Sequence, residues 1–348
     1  MKSRTVYIVA IAAAVAFAIA VAPARVASGE TSVESARSVL SPVAPMTETV
    51  AAAQIRNLKV TLLSTMLVGN PTGLGEWGFS ALVEADGHRI LVDTGAHPNT
   101  VLQNARDLGI DLSGVREVIL THNHWDHVTG LITLRREMMK ENPAAISVVH
   151  VARGIFYSRP TAKGENNPMI AIRKEYEATG GKFIEHAEGA DIFPGAWLTG
   201  PVPRKYPERN WSVSGNVQTP DGLVEDTIPE DQSLVMNTEQ GLVAVTGCGH
   251  AGVINILTDA VGKFAGRPAL AVIGGLHLFA ARDEQLDWTG DEFKQFKVAN
   301  LLGAHCTGIE AVYRLRQRAG LTRKTAVVGT VGSVFTLQEG IVAGVLAQ

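Results

Sequence analysis

The stretch "VILTHNHWDHVTGL", residues 118–131, places three histidines and one aspartate in the six positions from His122 to His127, directly behind an apolar run. "REVILT" reads as a short buried strand leading into the cluster, and "GLITLRREMMKENP" has the apolar spacing of a helix stopped by Pro143. The cluster therefore sits in a strand-to-helix turn, with the helix expected to begin near Val128 or Thr129. His122 and His124 are two residues apart, so in extended backbone both side chains point to one side and can take one metal ion. Asp126 and His127 are adjacent and can turn toward a second position only where the chain bends. Imidazole and carboxylate donors suit Zn, Mn or Fe. One such histidine alone would read as an exposed loop residue; four coordinating side chains in six positions read as a metal site.

Outward from the cluster, "NLKVTLLST" is strand-like, and "GFSALVEADGHRILVDTG" is two strands around Asp86-Gly87, a hairpin signal. "VLQNARDLGIDLSGV" has helical spacing. Downstream, "AISVVHVA", "DQSLVMNTEQGLVAVTG", "PALAVIGGLHLF" and "TAVVGTVGSVFTL" read as strands, and "GVINILTDAVGKFA" and "GIEAVYRLRQRAG" as helices. Region 153–230, rich in Pro, Gly and charge, is expected to be long loops with one helix near "MIAIRKEYEATGG". Strands mixed with helices in two successive passes indicate an α/β domain with helices outside stacked sheets. Periodicity alone does not separate this from a doubly wound sheet.

"THNHWDH" matches the His-x-His-x-Asp-His signature of the metallo-β-lactamase superfamily, and the chain resembles that family. "EWGFSALVE", "LVDTG", "VTGCGHAGVINI", "GGLHL" and "HCTG" follow the order seen in the branch that includes the archaeal dihydropterin ribofuranosyl-aminobenzene phosphate synthases. The resemblance covers about residues 57–348. It implies an αββα sandwich, two mixed sheets flanked by helices, with metals at one edge between them. It also implies that Asp93 supports the ligands from behind by accepting a hydrogen bond from a ligand imidazole. Asp126 would help ligate the second metal and orient the nucleophile.

The same resemblance completes the ligand set with His250, in a strand-to-helix junction, and His277, after two glycines that allow close approach. His305 in "AHCTG" is a further candidate, as is Cys248, which stands where hydrolytic relatives often carry the aspartate of "TGD". A second departure is the absence of a histidine from "LTGPVPR", the nearest counterpart of a glycine-rich turn that usually carries one. The division of ligands between two metals is therefore open. His88, His97, His150 and His186 have no comparable context and are read as structural or exposed.

Composition bounds the remaining classes. The chain has 348 residues, 46% apolar and 19% charged, and a formal charge of −3, which points to neither nucleic acid nor an anionic membrane as partner. Lys2 and Arg4 precede an apolar run from Val6 to Ala22, and Ala22-Pro23-Ala24 offers small residues to a signal peptidase. The expected organisation is a signal peptide at 1–24, a flexible linker at 25–55 and one catalytic domain at 56–348. The mature protein would be periplasmic or secreted, without stable membrane association; an uncleaved anchor is the alternative. Cys248 and Cys306 each lie beside a histidine, so one disulfide and a place in a metal site are both open.

These readings predict a metal-dependent hydrolase that uses two divalent ions, Zn first and Mn or Fe as alternatives, on a small molecule. Two ions about 3.5–4 Å apart can share a water and lower its pKa. Arg204, Lys205 and Arg209 are candidate contacts for an anionic substrate, with a solvated loop as the competing reading. Trp77, Trp125 and Trp211 could wall a pocket for a flat ring or equally serve packing. A pterin-type synthase, a transferase, ranks second because export separates the chain from a cytosolic pterin. A binding protein without chemistry ranks third, since it has less need of Asp126 and His127.

Overall fold

The computed structural model describes residues 52–69, 71–208 and 215–345, all within the compact unit Val50–Gln348. The expected signal peptide, all but 52–55 of the linker, and Arg209 and Trp211 lie outside the described residues. Ile55, at the linker's expected end, is 1% exposed and bridges to Thr238, so the folded body includes it. No described helix is long and apolar enough to cross a membrane.

Two mixed sheets face each other. The first has eight strands in the order Gly340–Val342, Val334–Thr336, Leu58–Ser64, Ser80–Ala85, His88–Val92, Glu117–Ile119, Val148–Ala152 and Lys182–His186. The second has seven, in the order Ala326–Val328, Asn300–Gly303, Ala269–Gly274, Gly241–Thr246, Leu234–Thr238, Ala196–Leu198 and Ala190–Phe193. The strands from His88 to His186 run parallel in the first sheet, and those from Gly241 to Val328 run parallel in the second.

Strand alternation builds three apolar layers from two sheets. In Gly241–Thr246, Val243 and Val245 face the space between the sheets, where they meet Val60, Leu62, Val83, Ile90 and Ile119. Leu242 and Ala244 point the other way, onto Val253, Ile254 and Leu257 of helix Val253–Lys263. Across the first sheet, Leu82, Leu91, Val118 and Val149 pack under helices Thr100–Asp107, Leu131–Met138 and Pro168–Glu177. Because both faces of each sheet are covered, the strands read as nearly unbroken apolar runs. The αββα sandwich is the architecture that results, and not a doubly wound sheet.

Two local expectations are corrected. A four-residue helix, Trp125–Val128, takes in Asp126 and His127 with His124 as its extended N-cap, and the helix after the cluster begins at Leu131. Tertiary contacts force this early bend: Phe79 N–H donates to Asp126 O at 3.2 Å, and Thr94 N–H donates to His127 O at 2.6 Å. Region 153–230 is more than loops. Strands Lys182–His186, Ala190–Phe193 and Ala196–Leu198 join the two sheets there, and Asn216–Thr219 pairs with Gly222–Glu225 as a small hairpin. These strands are short, and three of them carry exposed charged residues, as edge strands commonly do, which hides the pattern.

Candidate metal centre

Every residue of the centre leaves the carboxyl end of a parallel strand. Asp93 follows His88–Val92, and His122 to His127 follow Glu117–Ile119. Cys248 and His250 follow Gly241–Thr246, His277 follows Ala269–Gly274, and His305 and Cys306 follow Asn300–Gly303. The crevice beyond such strand ends is where α/β sheets bind ligands. Close approach of the loops depends on glycine: a Cβ on Gly247 would collide with Thr121 Oγ1 and stand 2.6 Å from Asp93 Oδ2. Three residues of the centre hold left-handed backbone, Asp93 at φ 57°, His277 at 48° and His305 at 47°. Such conformations cost energy in non-glycine residues and persist only where surrounding structure imposes them.

The rings converge. His122 lies 4.5 Å from His124, 4.2 Å from His127 and 4.7 Å from His250, centroid to centroid. His250 is 4.9 Å from His124 and 4.6 Å from His277, and His127 is 5.0 Å from His305. Ligand atoms of His122, Cys248 and His250 all fall within 4.8 Å of one another, as do those of His127, Cys248 and His305. Asp126 joins the second group, its Oδ2 3.2 Å from His305 Nε2 and 3.8 Å from His127 Nε2. Cys248 Sγ lies 3.1 Å from His127 Nε2 and so stands where both groups meet.

One carboxylate orients two of these rings. Asp93 Oδ2 accepts from His127 Nδ1 at 2.7 Å, which turns Nε2 toward Cys248. The same oxygen accepts from Thr121 Oγ1 at 2.7 Å, and that hydroxyl oxygen is 3.0 Å from His122 Nδ1. With its proton given to Asp93, the Thr121 hydroxyl accepts from His122 Nδ1–H, and the lone pair is left on His122 Nε2. Thr121 was not singled out in the sequence, because a threonine at a strand end is ordinary. Glu76, also missed, holds the neighbouring loop by accepting from Ala96 N at 2.9 Å and His97 N at 3.0 Å.

Electrostatics fit a cation. His122 Nε2 is fully buried with no hydrogen-bond partner, a costly state for a lone pair unless an ion takes it. Burial, reinforced by the neighbouring imidazoles, puts His122 well below its ordinary pKa of 6.5. Burial likewise lowers His124 to about 4, so both rings are neutral donors at neutral pH. At His127 burial opposes charge, but Asp93 and Asp126 outweigh it and raise the pKa to about 9. Asp126 is itself held well below the usual carboxylate range: burial pushes up, and His127 and His305 pull down harder. The pocket thus offers uncharged nitrogens on one side and a demand for positive charge on the other. The residues present fit divalent metal ions.

Residues 78–140 match the family model described as the metallo-beta-lactamase superfamily. Over 244 residues the chain is 30% identical to the uncharacterised protein MJ0448 of Methanocaldococcus jannaschii, covering 69% of this chain and 87% of that protein. The chain belongs to the metallo-beta-lactamase superfamily. This superfamily member is also similar to the 7,8-dihydropterin-6-methyl-4-(beta-D-ribofuranosyl)-aminobenzene-5'-phosphate synthase of the same organism, at 27% identity over 74% of this chain and 90% of that protein. Among solved structures it is similar to Tm1679, described as a metal-dependent hydrolase of the beta-lactamase superfamily. That match has a TM-score of 0.61 and 27% identity, covering 75% of this chain and 93% of that one.

The other expected residues of this metallo-beta-lactamase-fold chain are placed as follows. Arg204 is turned inward, donating to Thr227 O at 2.6 Å and Ile228 O at 3.0 Å, which is a loop-holding role and not that of a free anion clamp. The backbone of Lys205 is tied to Asn255 Oδ1 at 2.8 Å. Trp77 and Trp125 are 42% and 51% exposed. Trp77 packs edge-on to His305 at 5.3 Å and to Phe279 at 5.6 Å, so it does flank the centre. Phe279, half exposed and 5.2 Å from His277, is a wall residue the sequence reading missed. Cys248 and Cys306 are free thiols 3.3 Å apart, not a disulfide. Asp231, also missed, accepts from Ala251 N at 2.9 Å beside His250, and its burial pushes its pKa up to about 6.

Proposed function

We propose that the chain is a dinuclear metal-dependent hydrolase acting on a small molecule in an exported compartment. The observation that carries this reading is the pair of donor groups, His122/Cys248/His250 and His127/Cys248/His305, that meet at one thiol. His122, His124 and His250 would hold one ion, and Asp126, His127 and His305 the other, with Cys248 between them. Zinc suits this donor set best, with Mn or Fe as alternatives. When bound, such ions supply a water of lowered pKa and an electrophilic anchor for a substrate oxygen.

The chain's own side chains do the rest. Asp93 and Thr121 fix the tautomers of His127 and His122. Asp126, whose Oδ2 is 3.2 Å from His305 Nε2, would orient a nucleophile. Trp77 and Phe279 flank the opening and offer an apolar surface to a flat or aliphatic part of the substrate. Export is supported by Lys2, Arg4 and the apolar run behind them. A formal charge of −3 supports a small-molecule substrate over nucleic acid.

The test is elemental analysis of the purified chain, then turnover on lactones, phosphodiesters, thioesters and β-lactams with Zn, Mn or Fe supplied. The reading expects bound metal and a turnover that falls at least about 100-fold in Asp126→Asn. A metal-free protein, or a variant that turns over at the parent rate, overturns it.

A transferase of the pterin-synthase type is the second reading, favoured by the 27% identity to the archaeal enzyme over 90% of its length. Tight, metal-dependent quenching of a fluorescent pterin on titration would move the assignment there.

A further inference from the structure

One further cluster shares only Cys248 with the two imidazole-rich groups. Ligand atoms of Cys248, His277 and Cys306 fall within 4.8 Å of one another, and Cys306 belongs to neither of the other groups. We infer that these three side chains form a third ion position, a Cys2His set for a thiophilic divalent cation such as zinc.

The spacing suits an ion better than a covalent link. The two sulfurs are 3.3 Å apart. A disulfide requires about 2.05 Å, whereas two thiolates on one tetrahedral zinc, each at about 2.3 Å, stand about 3.8 Å apart. An ion therefore asks the sulfurs to part by about half an ångström, and a disulfide asks them to close by more than twice that.

The fold builds the cluster. Its three residues follow the carboxyl ends of Gly241–Thr246, Ala269–Gly274 and Asn300–Gly303, which are adjacent parallel strands. Gly275 makes the approach possible, since a Cβ there would collide with Gly247 O and stand 2.9 Å from Cys306 Sγ. Thr307 Oγ1 donates to Gly274 O at 2.9 Å and accepts from Leu276 N at 3.0 Å, pinning the second and third loops together. His277 N donates to Cys306 Sγ at 3.3 Å, and the φ of 48° at His277 reverses the chain directly beside the thiol.

Burial is uneven in a useful way. Both thiols are buried, while His277 is only partly so and faces the exposed Phe279. Three protein ligands with one side open is the arrangement that leaves a fourth position to water or a small ligand. Two sulfurs also select soft cations over Mn or Mg, in contrast to the neighbouring groups with their majority of nitrogen and carboxylate donors. This inference goes beyond the hydrolase reading and does not depend on turnover.

The full chain, purified under reductant, stripped and reloaded with zinc, tests it by metal analysis and zinc-edge X-ray absorption. Cys306→Ser is expected to bind about one fewer zinc per chain and to lose about half of the sulfur scattering near 2.3 Å. His277→Ala, at a partly exposed position, is expected to lose the same ion with both thiols intact, which keeps the test valid if the serine variant fails to fold. Unchanged zinc content and sulfur scattering in the variants would overturn the assignment. So would protein isolated without reductant and denatured that shows no titratable thiol, because the pair would then be a disulfide. Failure of the hydrolase reading would appear differently, as absent turnover with the zinc content as expected.

Discussion

Asp93 and His127 are joined by a 2.7 Å hydrogen bond between Oδ2 and Nδ1, both groups fully buried. The same oxygen reaches His122 through the Thr121 hydroxyl, so one carboxylate sets the direction of two imidazoles on different sides of the centre. Asp93→Asn replaces an acceptor by an amide that can present N–H to N–H. Metal affinity is expected to fall about 10–100-fold, read by competition with a chelator. Thr121→Val breaks only the link to His122 and is expected to weaken binding by about 10-fold, leaving the His127 contact in place. Equal affinities in all three proteins would remove this orienting role.

Metal removal should cost stability. Without an ion, His122 Nε2 stays buried and unpaired and several imidazoles crowd one pocket. Chelator-treated protein is expected to melt at lower temperature, and zinc at about 1,000 times its dissociation constant should restore about 4 kcal/mol. Differential scanning calorimetry at matched ionic strength makes the comparison, and coincident melting curves would count against an ion-holding pocket.

A second buried charge cluster supports the histidine turn from behind. Arg159 Nη2 donates to Glu230 at 2.7 Å and 2.9 Å, and its Nε donates to Asp226 at 2.6 Å. With its amide turned to satisfy both, Asn123 donates to Glu230 at 3.0 Å and accepts from Arg159 Nε at 3.3 Å. Burial, only partly offset by Arg159, pushes Glu230 up to about 7. Arg159→Met leaves that carboxylate without its partner, and urea unfolding at pH 8 is expected to show a loss of about 3–5 kcal/mol. A loss under 1 kcal/mol would mean the cluster relaxes to solvent. The sign at Glu230 is opposite to that of a paired surface acid. Its folded pKa lies above its unfolded value of 4.5, so its contribution is lost as pH rises through about 7.

Part of the acid sensitivity should come from His150, alongside the buried rings of His122 and His124. Its Nδ1 lies 3.0 Å from His186 Nε2 on the neighbouring strand, and Glu117 is 4.0 Å from its other nitrogen. Burial first, then the charges of His186 and Lys182, lower its pKa from 6.5 to about 4. The unfolded chain therefore binds a proton between these values that the folded chain refuses. The stabilisation is complete above about 6.5 and declines by about 2–3 kcal/mol as pH falls to about 4. His150→Phe should flatten that part of the stability–pH curve measured by chemical denaturation. A variant curve parallel to the parent's would remove His150 from the groups that make the fold acid-sensitive.

The histidine cluster was legible because it is local. His122, His124, Asp126 and His127 occupy one turn, and their spacing states its own chemistry. The αββα layering was legible through the family resemblance, while strand runs alone allowed a doubly wound sheet. Less legible was region 153–230, whose strands are short and exposed at the edges. The three tryptophans looked equivalent in the sequence; of the two that are described, Trp77 packs on His305, and Phe279, passed over, stands beside it.

The sequence by itself determined which donors exist and that four of them must act together, since adjacency along the chain survives any fold. It also determined the buried strands, because apolar runs of that length find cover only between layers. Only the tertiary structure decided which distant donors join: Cys248 between two imidazole groups, His305 against Asp126, and Cys306 beside His277. Those residues are more than a hundred positions from the first cluster. Their meeting depends on how parallel strands align their carboxyl ends, and on glycines at 247 and 275 that let the loops pass within contact. Backbone register and close approach arise from packing the whole sheet, and no local stretch of sequence encodes them.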